Sequence, residues 1–295
     1  MEKINIQFTL FSAFYTPLIV TMAGGFLQRE GLDYEWSISP PGVPAVDAVT
    51  AGTAQVAQSA PSQAFNAIAR GETEYPLHFA QVNEMDGFFI SAREPDDEFT
   101  WDKLEGAELV MFGGGQPNAM LRYACHRAGI DFARIHAISP GGADAIDQAF
   151  RAGQGQYVQQ QGPYPQQLQA DGVGEVVAQV GPLIGPCAFS SLAASRDWLD
   201  SDMALAFTRA YANARHFLNE APAAEIAAVE QSWFPEISPG ALQQCIASYQ
   251  QLGCWTPHVE ITREALEVTQ DVFEYTGGIS ERYHYEQICA LPPAI

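Results

Sequence analysis

Apolar and polar positions alternate over residues 4–10, which predicts an opening strand. A loop at 11–16 follows, and Pro17 suits the first turn of a helix that runs to about residue 28 and ends before Gly31. Residues 33–38 read as a second strand and Pro40-Pro41-Gly42 as a turn. A short helix closed by Gly52 comes next, then a buried-looking strand at 55–58. Ser59-Ala60-Pro61-Ser62 breaks that strand and is expected to cap a helix to about residue 70. Further strands are predicted at 77–82 and 87–93, and an acidic surface loop at 94–102.

The second stretch repeats the alternation of strand and helix. A strand at 108–112 runs into Gly113-Gly114-Gly115-Gln116-Pro117, after which 118–128 is helical. A polar strand at 156–161, a helix at 164–170 and a strand at 176–180 follow, and Gly185-Pro186 punctuates the return of the chain. From residue 197 onward the period is helical, at 203–218, 222–229, 239–252 and 262–274. Strands alternating with helices imply parallel βαβ units, and the last third is expected to supply helices that cover an existing sheet.

The chain also says one thing twice. Ile38-Ser39-Pro40-Pro41-Gly42, then Ala45, Val46 and Asp47, returns as Ile138-Ser139-Pro140-Gly141-Gly142, then Ala145, Ile146 and Asp147. Gly31-Leu32-Asp33-Tyr34 before the first copy matches Gly129-Ile130-Asp131-Phe132 before the second. Ala51-Gly52 with Gln55 matches Ala152-Gly153 with Gln156 after them. The offset of roughly a hundred residues is far beyond the period of stacked solenoids, so each copy is expected to be a lobe. Two such lobes would face each other across a cleft, a favoured place for ligands.

Composition narrows the partners. Of the 295 residues, 47% are hydrophobic and 17% charged, which describes a globular chain. The net charge of −21, with only 14 Lys and Arg, argues against nucleic acid and against an anionic membrane surface. Five cysteines, with no CxxC pair, do not build a disulfide framework at this size. The six histidines show no metal spacing, and neither a metal nor a cofactor is expected. The first residues carry no signal-like pattern and no transmembrane run follows. The expected location is therefore periplasmic if a signal peptide was removed and otherwise cytoplasmic.

Pro17 with Ala23-Gly24-Gly25-Phe26-Leu27, then Glu30-Gly31-Leu32-Asp33, Ala51-Gly52 and Ala60-Pro61-Ser62, resembles the solute-binding proteins of ABC transporters of the sulfonate/nitrate and thiamine-pyrimidine type. The resemblance implies an α/β, type II periplasmic-binding-protein fold: two similar lobes, a hinge crossed twice, and extra C-terminal helices. It places residues 1–88 in the first lobe, 89–184 in the second, and 185–295 back in the first with the C-terminal helices. It implies a small-molecule ligand, with an ABC permease as partner. Fold relatives include enzymes, so the rival reading is a cytoplasmic decarboxylase, desulfinase or pyrimidine-forming enzyme on the same scaffold. The place where a desulfinase of this fold carries its nucleophilic cysteine is Phe14 here, and the cysteine-rich motif of the pyrimidine synthases is missing.

Candidate ligand-binding residues follow from the loops expected at the cleft. Phe14 and Tyr15 offer aromatic faces. Gly42, Ser59 and Ser62 lie in first-lobe turns, and Gly114, Gly115 and Gln116 offer backbone N–H groups at a helix start. Gln159, Gln161 and Tyr164 come from the polar strand and the turn after it. Asn83 and Glu84 stand at the first hinge crossing and Cys187 at the return, where packing is the better account of the cysteine. These loops hold no Lys or Arg but do hold Glu84 and Asp86. The expected ligand is therefore a neutral or cationic, aromatic or heterocyclic molecule rather than a sulfonate or nitrate.

Overall fold

Ile4, Ile6 and Phe8, alternating along the first strand, are buried beneath the flanking helices. The computed structural model describes residues 1–295 and holds ten strands. They are β1 (Glu2–Phe8), β2 (Leu32–Ile38), β3 (Val56–Ser59), β4 (Leu77–Asn83), β5 (Phe88–Ala92), β6 (Glu108–Val110), β7 (His136–Ile138), β8 (Tyr157–Gln161), β9 (Glu175–Gln179) and β10 (Ser190–Ala194). They form two five-stranded sheets, ordered β2-β1-β3-β10-β4 and β7-β6-β8-β5-β9.

The two orders are one plan used twice. β1, β2 and β3 pair in parallel as β6, β7 and β8 do. The fourth place in each sheet is taken by an antiparallel strand that has just arrived from the other lobe: β10 in the first, β5 in the second. The chain thus passes between lobes after Asn83 and returns before Ser190. The repeated glutamines hold equivalent posts. Gln55 donates its N–H to Asn5 O at 2.9 Å and accepts the Asn5 N–H on its side chain at 2.8 Å. Gln156 does the same to Glu108, at 3.0 Å and 3.2 Å. Gly52 and Gly153, after equivalent helices, both take positive φ, at 71° and 92°.

Several expectations are corrected. The first helix is broken: Thr16–Ala23 ends at Gly24, Gly25 turns at φ 74°, and Phe26–Arg29 resumes. A Cβ on Gly24 would lie 2.8 Å from the Phe26 ring, so the break is packed tightly. Ser62 does not cap the helix Ser62–Ala69, because its hydroxyl is engaged elsewhere. The helix Gly115–Ala128 begins three residues before its predicted start. β10 was not foreseen: Ser-Ser-Leu-Ala-Ala shows no polar alternation because both faces of that central strand are buried. The last third therefore completes the first sheet as well as covering it.

Behind β4, the fully buried Arg215 of helix Asp202–Glu220 donates to Gln81 O at 2.7 Å, Val82 O at 3.2 Å and Thr256 Oγ1 at 2.8 Å. Backbone carbonyls and a hydroxyl solvate this cation in place of water and tie the strand to the C-terminal helices just before the chain leaves the lobe.

Candidate functional site

A cavity of about 710 Å³ lies between the lobes. The first lobe contributes Thr9 and Leu10 after β1, Gln58 and Ser59 at the end of β3, and Ser62, Gln63 and Asn66 from the next helix. The second lobe contributes Gln161 at the end of β8, the Gly142 turn, and Gly115 to Ala119 at the start of their helix. Strand ends and helix starts converge there because both sheets present those ends to the cleft, the usual ligand position in open α/β sheets. The size fits a small molecule.

The lining is rich in amides, hydroxyls and aromatic rings and holds no carboxylate. Tyr15, Phe88, Phe112, Phe189 and Phe273 supply the aromatic surface. Arg122 is the one basic side chain and is exposed, at the rim. The Gln161 amide of the second lobe faces the Tyr15 phenol, and Ser59 Oγ of the first lobe is buried without a hydrogen-bond partner. Such an atom costs about 1–3 kcal/mol when left unpaired. Burial pushes the Tyr15 phenol up to about 12, against the lowering effect of hydrogen bonds from Gln161 and Gln58, and keeps it neutral.

Hydrogen bonds draw the lobes together. Ser62 Oγ donates to Gln116 Oε1 at 2.9 Å, and Gln116 Nε2 donates to Phe189 O at 2.5 Å. Ser12 Oγ donates to Gly162 O at 2.5 Å. From behind the wall, Asn83 Nδ2 donates to Ser190 Oγ at 2.7 Å and fixes that hydroxyl at the cavity edge.

Seven of the fourteen sequence-derived candidates line this cavity: Tyr15, Gly42, Ser59, Ser62, Gly115, Gln116 and Gln161. The other seven lie elsewhere, each for a visible reason. Phe14 is fully buried with its ring stacked on Tyr249, centroids 4.9 Å apart. Asn83 is held between Ser190 and Trp255 Nε1, which donates to it at 2.8 Å. Glu84 faces His258 Nε2 at 3.1 Å, and that hydrogen bond raises the imidazole above its ordinary range. Gly114 is exposed in the turn outside the cavity, and Gln159 donates to Pro117 O at 3.2 Å. The Tyr164 hydroxyl donates to Asp144. Cys187 is fully buried, its N–H donating to Glu84 O at 2.9 Å, and burial pushes its thiol well up, the opposite of a nucleophile's environment.

Asp86, the other acid of the first crossing, is also off the cavity. It is buried, accepts the Phe88 N–H at 2.7 Å, and burial pushes it up to about 7. Ser191 Oγ and His78 Nδ1, 2.7 Å apart, have the spacing of a nucleophile and its base. Both are fully buried and away from the cavity, and burial lowers the ring to about 3. Sequence reasoning missed Gln58, Asn118, Arg122, Ser190 and the Phe273–Gly278 corner. The last comes from a C-terminal helix read only as cover, and its Gly277-Gly278 pair was the available signal.

The family model that matches the chain is described as NMT1-like, over residues 9–231. A candidate binding protein of Bacillus subtilis (strain 168), YtlA, is 25% identical over 292 residues, covering 98% of this chain and 87% of its own length. Among solved structures, the periplasmic aliphatic sulphonate binding protein SsuA of Escherichia coli matches with a TM-score of 0.74 at 17% identity, covering 98% of this chain and 97% of that one. The alkanesulfonate-binding protein SsuA of Xanthomonas axonopodis pv. citri, bound to MOPS, matches at 0.72 and 17%, covering 95% of each. The periplasmic nitrate-binding protein NrtA of Synechocystis PCC 6803 matches at 0.62 and 14%, covering 99% and 92%. These likenesses bear out the two-lobed fold expected from the sequence.

Proposed function

We propose, for a chain that belongs to the NMT1-like family, that the protein is a solute receptor of the ABC-importer kind. It closes two lobes over a small, uncharged polar molecule with a flat ring. The observation that carries this reading is the convergence of uncharged polar side chains of both lobes, Gln58, Ser59 and Ser62 from the first and Gln116, Asn118 and Gln161 from the second, on one cavity that five aromatic rings also line. A ligand that hydrogen-bonds to side chains of both lobes can do so only when the lobes are together, which is how binding would drive closure. Five aromatic side chains in the lining suit a ring, and a lining without carboxylates does not favour a cation. Glu84, the residue on which a cationic ligand depended, is engaged by His258 instead.

In this reading the protein works in the periplasm and hands its ligand to a permease; the sulphonate- and nitrate-binding neighbours are themselves named as periplasmic. A second reading has one observation of its own: Arg122 at the rim, in the Gly115–Ala128 helix, offers a small anion a charged partner. Native mass spectrometry of the full chain, followed by calorimetry with uncharged aminopyrimidines, taurine, nitrate and alkylsulfonates, separates the two. Binding of the uncharged ring compounds that survives Arg122→Gln supports the first. Binding of the sulfonates or nitrate alone, lost in Arg122→Gln, replaces it with the second.

A further inference from the structure

A second cavity, of about 660 Å³, lies on the hinge and shares no residue with the cleft. One wall is β9, whose residues Val176, Val177, Ala178 and Gln179 line it consecutively. β9 ends its sheet and pairs only with β5, so its outer backbone edge carries no ladder. The facing wall is the helix Pro239–Leu252, presenting Gln244, Ser248 and Gln251 at the i, i+4, i+7 spacing of a single face. Gln166 lines the groove as well. It is only 1% exposed, and its side-chain carbonyl has no hydrogen-bond partner.

In a chain of net charge −21, none of the thirteen residues lining this groove is charged. Amides with both donors and acceptors, an unpaired strand edge and small apolar patches complement one kind of ligand, a polypeptide backbone in extended form. Charged side chains would meet no partner there. Four residues of strand span about 13 Å, so the edge is long enough for a short segment of three or four residues.

We propose that this groove binds a short, uncharged peptide in extended conformation, added to β9 as a further strand. Met85 of the first crossing and Pro182 of the return both line it. The crossings touch beside it, where a Cβ on Gly181 would lie 2.3 Å from Asp86 O. A bound strand would therefore rest against both hinge segments at once. This goes beyond the cleft reading and does not depend on it.

Hydrogen-exchange mass spectrometry of the full chain tests the proposal, with the acetylated and amidated tetrapeptide Val-Gln-Val-Gln as probe. The expected result is slower exchange in 175–179 and 244–252, with exchange in 58–63 and 115–119 unchanged. Ser248→Glu should leave the peptide-free pattern as it is and weaken the effect by at least about tenfold, since it places a carboxylate against an uncharged ligand. Val177→Pro, placed where β9 slips its register with β5 and pairs with no residue of it, should weaken it too. Protection confined to the cleft segments would overturn the groove assignment while leaving the cleft reading intact. No protection at millimolar peptide, equal protection in Ser248→Glu, or equal protection by Lys- or Glu-containing tetrapeptides would also overturn it.

Discussion

Ser62 and Gln116, fifty-four residues apart, meet across the cleft: the serine hydroxyl donates to the glutamine's side-chain carbonyl at 2.9 Å, one lobe to the other. The same glutamine donates its amide to Phe189 O, in the segment that returns to the first lobe. Gln116 is thus held from two sides only while the lobes are together.

A single neutral hydrogen bond contributes about 0.5–1.5 kcal/mol net. Ser62→Ala should accordingly shift the balance toward the open form by roughly three- to tenfold. The free protein should show a larger radius of gyration by small-angle scattering, and ligand should dissociate faster in stopped flow. An unchanged radius with an unchanged off-rate would remove this pair from the closing mechanism.

Gln161→Met separates binding from folding. The amide faces the Tyr15 phenol, so replacing it with a thioether of similar volume should lower stability by no more than one neutral hydrogen bond, about 0.5–1.5 kcal/mol. Ligand affinity should nevertheless fall by about 1–3 kcal/mol, because the ligand loses its donor. Calorimetry beside a thermal melt reads both; affinity equal to that of the natural chain would show that the amide faces no ligand.

Gly87 is where the first crossing passes over the core. A Cβ there would lie 2.1 Å from Phe14 Cε2, and Phe14 is itself wedged against Tyr249. Gly87→Ala should therefore cost about 1–3 kcal/mol by overpacking. That is a fall in melting temperature of at least about 2 °C for a chain of this size. Adding Phe14→Leu should recover part of the loss, and a double variant no better than the single one would place the strain elsewhere.

Glu230 is fully buried, accepts from Thr16 Oγ1 at 3.0 Å, and burial pushes its carboxyl up to about 8. Between the ordinary carboxylate range and that value the folded chain holds a proton that the unfolded chain lacks. Stability must then fall as pH rises. Asp86, pushed up to about 7, has the same sign, and so does His258, whose raised imidazole stabilises the fold below its titration. His78, lowered to about 3, works the other way, but only below the ordinary histidine range. The clear window is thus pH 6.5–8 or so, with a slope of up to about 1.4 kcal/mol per pH unit for each group. Urea denaturation across that window should show the decline, and Glu230→Gln should flatten it.

Much of the architecture was legible because it rests on local and repeated patterns. The two copies of the Ile-Ser-Pro motif, with Gly52 matching Gly153 and Gln55 matching Gln156, determined that the chain holds two like lobes; each glutamine needs only its neighbouring strand to make the same pair of bonds. Strand ends at Ser59 and Gln161 fell on the cleft for the same reason, since the βαβ order decides which end of a strand faces the ligand. Only the tertiary structure decided the rest, because it turns on partners distant in sequence. Phe14 and Tyr15 are adjacent and both aromatic, yet the first stacks on Tyr249 and the second lines the cavity. Glu84 stood in a plausible cleft loop until His258, far along the chain, took it up. Arg122 was hidden on a helix whose orientation toward the cleft no local pattern encodes, and β10 became a strand because β3 and β4 left a place between them.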